Sequence, residues 1–427
     1  MKASRRTFIK QTSGVVAGAL AFPALLESAS PNAPVPQQST QSGNKQYWDT
    51  VRDKFPLTHD RVYFNTGTIG PNPLPVQEAY KAAIEDLDKR GEYGGWEIAR
   101  PKLAGFMNVD ESEISLTHNT TEAVNILTWG LPLKQGDEVI LTTHEHVGNA
   151  LPWLNRAKLD GIVIKTISPA PTADENLNRI NDLINAKTKA IAIPHITCTI
   201  GQVFPVKEIA KLGHDKGLWV FFDGAQAPGM FPVDLKDIGC DFYASSCHKW
   251  MCAPRGTGFL YVKKEMLDVV QTRFVGGYTD AGWDLTVEPH EFKGYVPTAH
   301  RYDYGTQSAP LFIGVAAAVD FFSALGMGNV GKHNLSLAAS LQQQLLQLGD
   351  NLEMLSPTED RSCSAMIGFR LKNMAYDKFG DVASKNGFRI RLVPESHLNS
   401  IRISTHVYNN EEEVKKFVDV VKDAMKG

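Results

Sequence analysis

Lys249 and Asp223 carry the most readable chemistry in this chain. Lys249 closes the run Ser246-Cys247-His248-Lys249, just after the apolar stretch Asp241-Phe242-Tyr243-Ala244. Upstream, Leu218-Trp219-Val220-Phe221-Phe222 runs into Asp223-Gly224-Ala225-Gln226. A carboxylate at one strand end and an amine at the next suit pyridoxal phosphate (PLP). The lysine can form a Schiff base with the cofactor aldehyde. The aspartate can hold the pyridine nitrogen protonated, so that the ring accepts electrons.

Other residues fall where such a cofactor would need them. Asn119-Thr120-Thr121 lies between a predicted strand and a predicted helix. Such residues can cap the helix or leave its free N–H groups to hold a phosphate. Alone, the capping reading is the stronger; beside Asp223 and Lys249 the phosphate reading is favoured. Ser246 and His248 can donate to phosphate oxygens. His146 follows the predicted strand Glu138–Thr142, and a flat imidazole there can lie on the ring face. Gln226 can donate to the ring's phenolic oxygen or simply cap a helix. Arg402, inside the alternation Ile401-Arg402-Ile403-Ser404, either snorkels to water or binds a carboxylate.

The elements that must position these residues alternate along the chain. Predicted strands are Glu113–Leu116, Glu138–Thr142, Ile162–Ile167, Ala190–Ile193, Trp219–Phe222, Phe242–Ala244 and Gly258–Val262. Predicted helices between them include Val76–Leu87, Thr121–Thr128, Leu177–Asn185 and Val206–Lys216. This alternation implies an α/β fold, a mostly parallel seven-stranded sheet with helices on both faces, whose ligands bind at the strands' carboxyl ends. After Gly305-Thr306-Gln307 a helix runs to about Leu325 and another from Leu335 to Leu348. Strands Ala365–Leu371 and Ile401–Ser404 then alternate with helices Asp377–Asn386 and Glu411–Met425, a smaller α+β domain. The expected division is a large domain over 46–310 and a small one over 311–427.

The bulk properties agree with an enzyme. The 427 residues are 43% hydrophobic and 21% charged, with net charge −3 and no basic cluster for nucleic acid. Five cysteines without a Cys-x-x-Cys spacing do not make a disulfide or zinc framework. All five lie in or beside apolar stretches and read as buried, inert thiols. Ser4-Arg5-Arg6-Thr7-Phe8-Ile9-Lys10 has the twin-arginine pattern of an export signal over residues 1–30. The apolar run Gly14 to Leu26 is shorter than the ~20 residues that span a bilayer. A polar linker follows over 31–45. The expected destination is the periplasm or beyond, reached through the twin-arginine export machinery.

Taken in order, Asn119-Thr120-Thr121-Glu122-Ala123-Val124-Asn125, Glu145-His146, Asp223-Gly224-Ala225-Gln226, Ser246-x-His248-Lys249, Gly256-Thr257-Gly258 and Gly305-Thr306 resemble the class V aminotransferase family. That family includes cysteine desulfurases and isopenicillin-N epimerase-like proteins, and the resemblance runs from about Tyr63 to Lys422. It implies PLP fold type I and a homodimer with active sites at the subunit interface. By position, Lys249 is the Schiff-base lysine, Asp223 the pyridinium partner, His146 the stacking residue and Gln226 the phenolate-oxygen partner. Thr121, Ser246 and His248 match phosphate ligands, with Asn119 and Thr120 beside them. Thr306 matches the residue that reaches the neighbouring subunit's phosphate. Arg402 matches the arginine for the substrate α-carboxylate, and Asn65 is assigned with it to the substrate side.

The departures narrow the chemistry. Desulfurases carry a nucleophilic cysteine shortly before the arginine strand; here Arg389-Ile390-Arg391-Leu392-Val393-Pro394-Glu395-Ser396-His397 has none. This argues against sulfur transfer through a protein persulfide. Cys198 stands where desulfurases have an asparagine, and Tyr63-Phe64-Asn65-Thr66-Gly67 looks closer to the epimerase-like branch. The expectation is therefore a PLP enzyme acting at Cα of an amino-acid or peptide-like substrate, nearest the epimerase-like group. Aminotransferase and C–S lyase are the rivals within the family, and an exported binding protein on a PLP fold is the rival outside it.

Overall fold

A computed structural model describes residues 45–426; the expected export signal and most of the expected linker lie outside them. Seven strands make the large sheet: β1 (Ile114–Thr117), β2 (Glu138–Thr142), β3 (Val163–Ile167), β4 (Thr188–Pro194), β5 (Trp219–Asp223), β6 (Phe242–Ser246) and β7 (Gly258–Val262), in the order β1-β7-β6-β5-β4-β2-β3. Only β7 runs antiparallel to its neighbours β1 and β6. The other pairs are parallel. Strands covered on both faces read as continuous apolar runs, and Val220, Phe221 and Phe222 of β5 are buried accordingly.

The expected strand centres are all present, with ends moved by a few residues. The extensions matter most at β5 and β6, which now include Asp223 and Ser246. The helices are α1 (Lys45–Arg52), α2 (Leu74–Arg90), α3 (Thr120–Gly130), α4 (Val147–Asp160), α5 (Ala309–Leu325) and α6 (Met327–Leu346), with shorter ones between. Helix α1, just after the expected linker, is not among the helices expected from sequence. Eight residues are too few for a stable isolated helix; tertiary contact makes this one. Its Tyr47, Trp48 and Val51 join a core cluster with Phe321, Phe322, Val330 and Tyr408.

Helix α6 begins at Met327, well before the expected Leu335. Gly328 and Gly331 argue against a helix start there from sequence alone. Gly331 is kept because a Cβ on it would press on Phe231 and Pro232 at 3.1–3.2 Å.

The small sheet is antiparallel throughout: β8 (Leu352–Met354), β9 (Met366–Leu371), β10 (Arg391–Val393) and β11 (Ser400–Ser404), in the order β8-β9-β11-β10. Alternation on β11 buries Ile401 and Ile403 in the small core with Phe369 and Phe417. That leaves Arg402 on the opposite face. The expected boundary at 310/311 falls at the start of α5, whose Phe312, Val315 and Val319 sit in the large-sheet core and whose Phe321, Phe322 and Leu325 sit in the cluster with α1. Cys363, expected to be buried, follows the turn Asp360–Ser362 and is only part-buried, as is Cys198. Cys240, Cys247 and Cys252 are buried. Among the described residues no single helix is long and apolar enough to cross a membrane.

Candidate active site

Strand β5 ends at Asp223 and β6 at Ser246, so both polar residues emerge at the same sheet edge. Asp223 pairs in register with Ala244 of β6 and Pro194 of β4. Its Oδ1 accepts from the Ala225 amide at 2.9 Å, and its carbonyl accepts from the His195 amide at 2.8 Å. Lys249 follows β6 after one tight turn and is buried. Its backbone is pinned by Gly70: a Cβ there would lie 1.9 Å from the Lys249 carbonyl oxygen.

Lys249 enters no ion pair among the described residues. Burial pushes its ammonium below the ordinary lysine value, and the Asp223 carboxylate partly opposes this. An amine so placed yields its proton more readily and is more nucleophilic. His146 caps α4, its Nδ1 accepting from the Gly148 amide at 3.0 Å. Burial, then the Lys249 charge, lower its proton affinity. Behind it, burial pushes Glu145 up to about 8, although Thr142 and Asn149 donate to its carboxylate.

Lys249, His146, Gln226 and Arg402 line one cavity of about 100 Å³. Gly67, Thr68, Cys198, Arg391, Val393 and Glu395 complete its lining. Burial pushes the Cys198 thiol up to about 11, so it is protonated at neutral pH. Gln226 is already engaged, its Nε2 donating to the Gly67 carbonyl at 3.0 Å and its Oε1 accepting from Trp250 Nε1 at 2.8 Å. One Nε2 proton remains for a ligand.

The expected phosphate group divides in use. Asn119 caps α3, accepting from the Glu122 amide at 3.0 Å. The Thr120 amide donates to Ser246 Oγ at 2.9 Å, and the two hydroxyls lie 2.7 Å apart. The Thr121 hydroxyl makes none of the described hydrogen bonds and is exposed, close to Gly148. His248 Nδ1 is buried without a partner. Burial and the neighbouring Lys249 push that imidazole down to about 4. A buried, unpartnered ring nitrogen on His248, two residues past the Ser246 that meets the start of α3, and an unpaired buried amine fit a phosphorylated aldehyde. None of Asp223, Ser246, His248 or Thr121 lines the cavity itself.

Arg402 is buried without a carboxylate partner. Its Nη1 donates to the Cys198 carbonyl, its Nη2 to Thr68 Oγ1 at 3.1 Å, and its Nε has no partner. Burial pushes it down to about 10, still charged at neutral pH. A buried unpaired guanidinium favours an anionic ligand. Asn65 is buried outside this lining; its Oδ1 accepts from Thr68 Oγ1 at 2.8 Å and shapes the turn that presents Gly67 and Thr68. Thr306 is exposed and not part of the lining.

The sequence reading missed Arg391 and Glu395 as site residues, because that stretch was read for a cysteine. Arg391 pairs with Arg402 across β10 and β11, so both guanidiniums leave one face. Arg391 Nη2 lies 2.5 Å from Glu395 Oε1. Beyond Glu395, Ser396, His397 and Asn399 have φ of 53°, 58° and 45°. Each non-glycine residue held there costs of order 1–2 kcal/mol. Ser396 Oγ donates to the Thr143 carbonyl at 2.6 Å, tying this strained loop to the segment that carries His146.

The family described as Aminotransferase class-V matches residues 85–417. A probable cysteine desulfurase of Synechocystis sp. is 32% identical over 404 residues, covering 86% of this chain and 93% of the relative. The isopenicillin N epimerase of Amycolatopsis lactamdurans is 28% identical over 397 residues, covering 89% and 99%. Further relatives at 26–31% identity carry the cysteine desulfurase name. Among solved structures, the cystine C–S lyase C-DES in complex with cysteine persulfide superposes with TM-score 0.80 at 25% identity, covering 86% of this chain and 99% of that one. A C-DES mutant holds glycine covalently linked to its PLP cofactor.

Proposed function

The chain belongs to the class V aminotransferase family and is a PLP-dependent enzyme of fold type I, and on that premise we propose that it is a C–S lyase for S-substituted cysteines. The supporting observation is the join between β10 and β11: the cavity holds Lys249, His146 and Arg402, yet residues 389–399 contain no cysteine and put Glu395 in the lining. Relatives named cysteine desulfurases and a similar solved cystine C–S lyase support carbon–sulfur cleavage as the reading. This replaces the epimerase-like expectation as the leading reading.

When bound, PLP supplies an electron-accepting ring that stabilises negative charge at the substrate Cα. Lys249 would hold its aldehyde, Asp223 its ring nitrogen, and Thr121, Ser246 and His248 its phosphate, and His146 would pack against the ring. Arg402 binds the substrate α-carboxylate and fixes Cα in front of Lys249. Freed Lys249 then takes the Cα proton. The Cβ–S bond breaks with its electron pair leaving on sulfur, and Lys249 is placed to return a proton to that sulfur. The overall balance is S-substituted cysteine plus water giving a thiol, pyruvate and ammonium, with no oxidant or reductant.

Purified holoenzyme incubated with cystine should release pyruvate and ammonium, with sulfur leaving as cysteine persulfide. Alanine with protein-bound sulfur instead would support a desulfurase and overturn the lyase reading. Two observations favour an epimerase: His146 lines the same cavity as Lys249, and one relative is named an epimerase. Cα deuterium incorporation with loss of optical activity, without pyruvate, would select it. Pairing of two copies, with Thr306 of each serving the other's phosphate, is part of this proposal, as is export through the twin-arginine pattern Ser4–Lys10. Light scattering and cell fractionation test these two directly.

A further inference from the structure

We propose that Arg391 and Glu395 receive a second zwitterionic head group, so that the preferred substrate is a diamino acid with an ammonium–carboxylate head at both ends. This rests on the C–S lyase reading for the reaction, though not for the binding.

Arg402 and Arg391 are cross-strand partners whose side chains share a face and a cavity. Arg402, buried and unpaired, takes the first carboxylate. Arg391 and Glu395 sit farther out, with side chains 33% and 29% exposed. Glu395 Oε1 is held by Arg391, but Oε2 is buried without a hydrogen-bond partner. It is the only carboxylate in a lining that also contains Lys249, Arg391 and Arg402. An alkyl side chain would leave Oε2 unsatisfied, at the full desolvation penalty. A second carboxylate alone would meet Glu395 as a like charge.

An ammonium beside a carboxylate meets both demands. The ammonium donates to Oε2. The carboxylate takes guanidinium protons of Arg391 beyond those used on Glu395 and on the Leu392 carbonyl, since a guanidinium carries five. The Arg391–Glu395 pair therefore need not break. The left-handed turn at Ser396, His397 and Asn399, anchored on Thr143, fixes Glu395 relative to His146.

Holoenzyme is titrated with 2,6-diaminopimelate and with norleucine, which lack a leaving group at Cβ, following the cofactor's visible band and tryptophan fluorescence. Diaminopimelate should bind at least tenfold tighter. Glu395→Gln should bring the ratio of the two affinities toward one, and Glu395→Asp should restore part of it; a retained visible band shows that each variant is folded. Equal affinities in the unaltered protein, or a preference that survives in Glu395→Gln, would overturn the inference. If the preference holds but no S-substituted cysteine yields pyruvate, the lyase reading falls and this inference stands. If cystine and S-methylcysteine yield pyruvate with equal kcat/KM, the lyase reading stands and this inference falls.

Discussion

The two walls of the cavity are built differently. One comes from the chain just beyond β5 and β6: Gln226 and Lys249 are buried, Gln226 held by Gly67 and Trp250 and the Lys249 backbone pinned by Gly70. The other comes from β10, β11 and their connection: Arg391 and Glu395 are part-exposed, and the loop beyond them occupies left-handed backbone. The first wall holds Lys249 and Gln226, which we propose serve the cofactor. The second holds the groups that meet the variable part of a substrate. Rigid strand ends suit a fixed reaction centre, while a loop allows specificity to change without disturbing it.

Cutting the first wall at its amine gives the largest effect expected. Lys249→Ala should remove the visible cofactor band and lower turnover by at least a thousandfold, roughly 4 kcal/mol; a variant retaining both would break the assignment. Next is the first wall's dependence on acid. Burial pushes His195, whose Nδ1 sits 2.8 Å from the Tyr243 hydroxyl, down to about 4. Its folded value lies below its unfolded one, so its contribution is present above pH 6.5 and is lost as pH falls through about 4. The loss is about 3 kcal/mol at 1.36 kcal/mol per pH unit. Denaturant melts from pH 7 to pH 4 should show it, and His195→Gln should flatten that part of the curve.

Arg402→Lys tests the second wall. A lysine keeps the charge but loses the planar fork, so KM should rise about 100-fold, near 2.7 kcal/mol, with kcat little changed. A fall in kcat alone would move Arg402 out of substrate binding. Gly70→Ala probes the seam where the N-terminal segment touches Lys249, and overpacking should cost about 1–3 kcal/mol in thermal melts. Gly105→Ala, a helical site with no atom near the added Cβ, should instead gain up to ~1 kcal/mol. Equal shifts for the two glycines would show that the contact at Lys249 carries no weight.

Legibility in the sequence followed the same division. The large-sheet wall could be read because each functional residue ends a local apolar run, and strand periodicity places it at the carboxyl edge. Residue types before α3 allow either a cap or a phosphate site; the phosphate reading is the favoured expectation for Asn119, yet its side chain caps the helix. Arg402 stood out as one charge within an apolar alternation. Arg391 and Glu395 did not, because their importance comes from pairing beside β11, a partner not visible in the local pattern. Thr68 took its place in the lining through the turn that Asn65 shapes. Helix α1 was missed because its stability comes from Phe321, Phe322 and Tyr408, far along the chain.

The amino-acid order alone determined the α/β alternation, the lysine and aspartate at adjacent strand ends, and the absence of a cysteine before β11, since these depend on local periodicity and composition. Only the folded chain decided which side chains share the cavity, that Arg402 lacks a carboxylate partner, and that Glu395 keeps one oxygen unpaired. Those are properties of burial and of contacts between distant segments, and solvent exclusion gives them their energy.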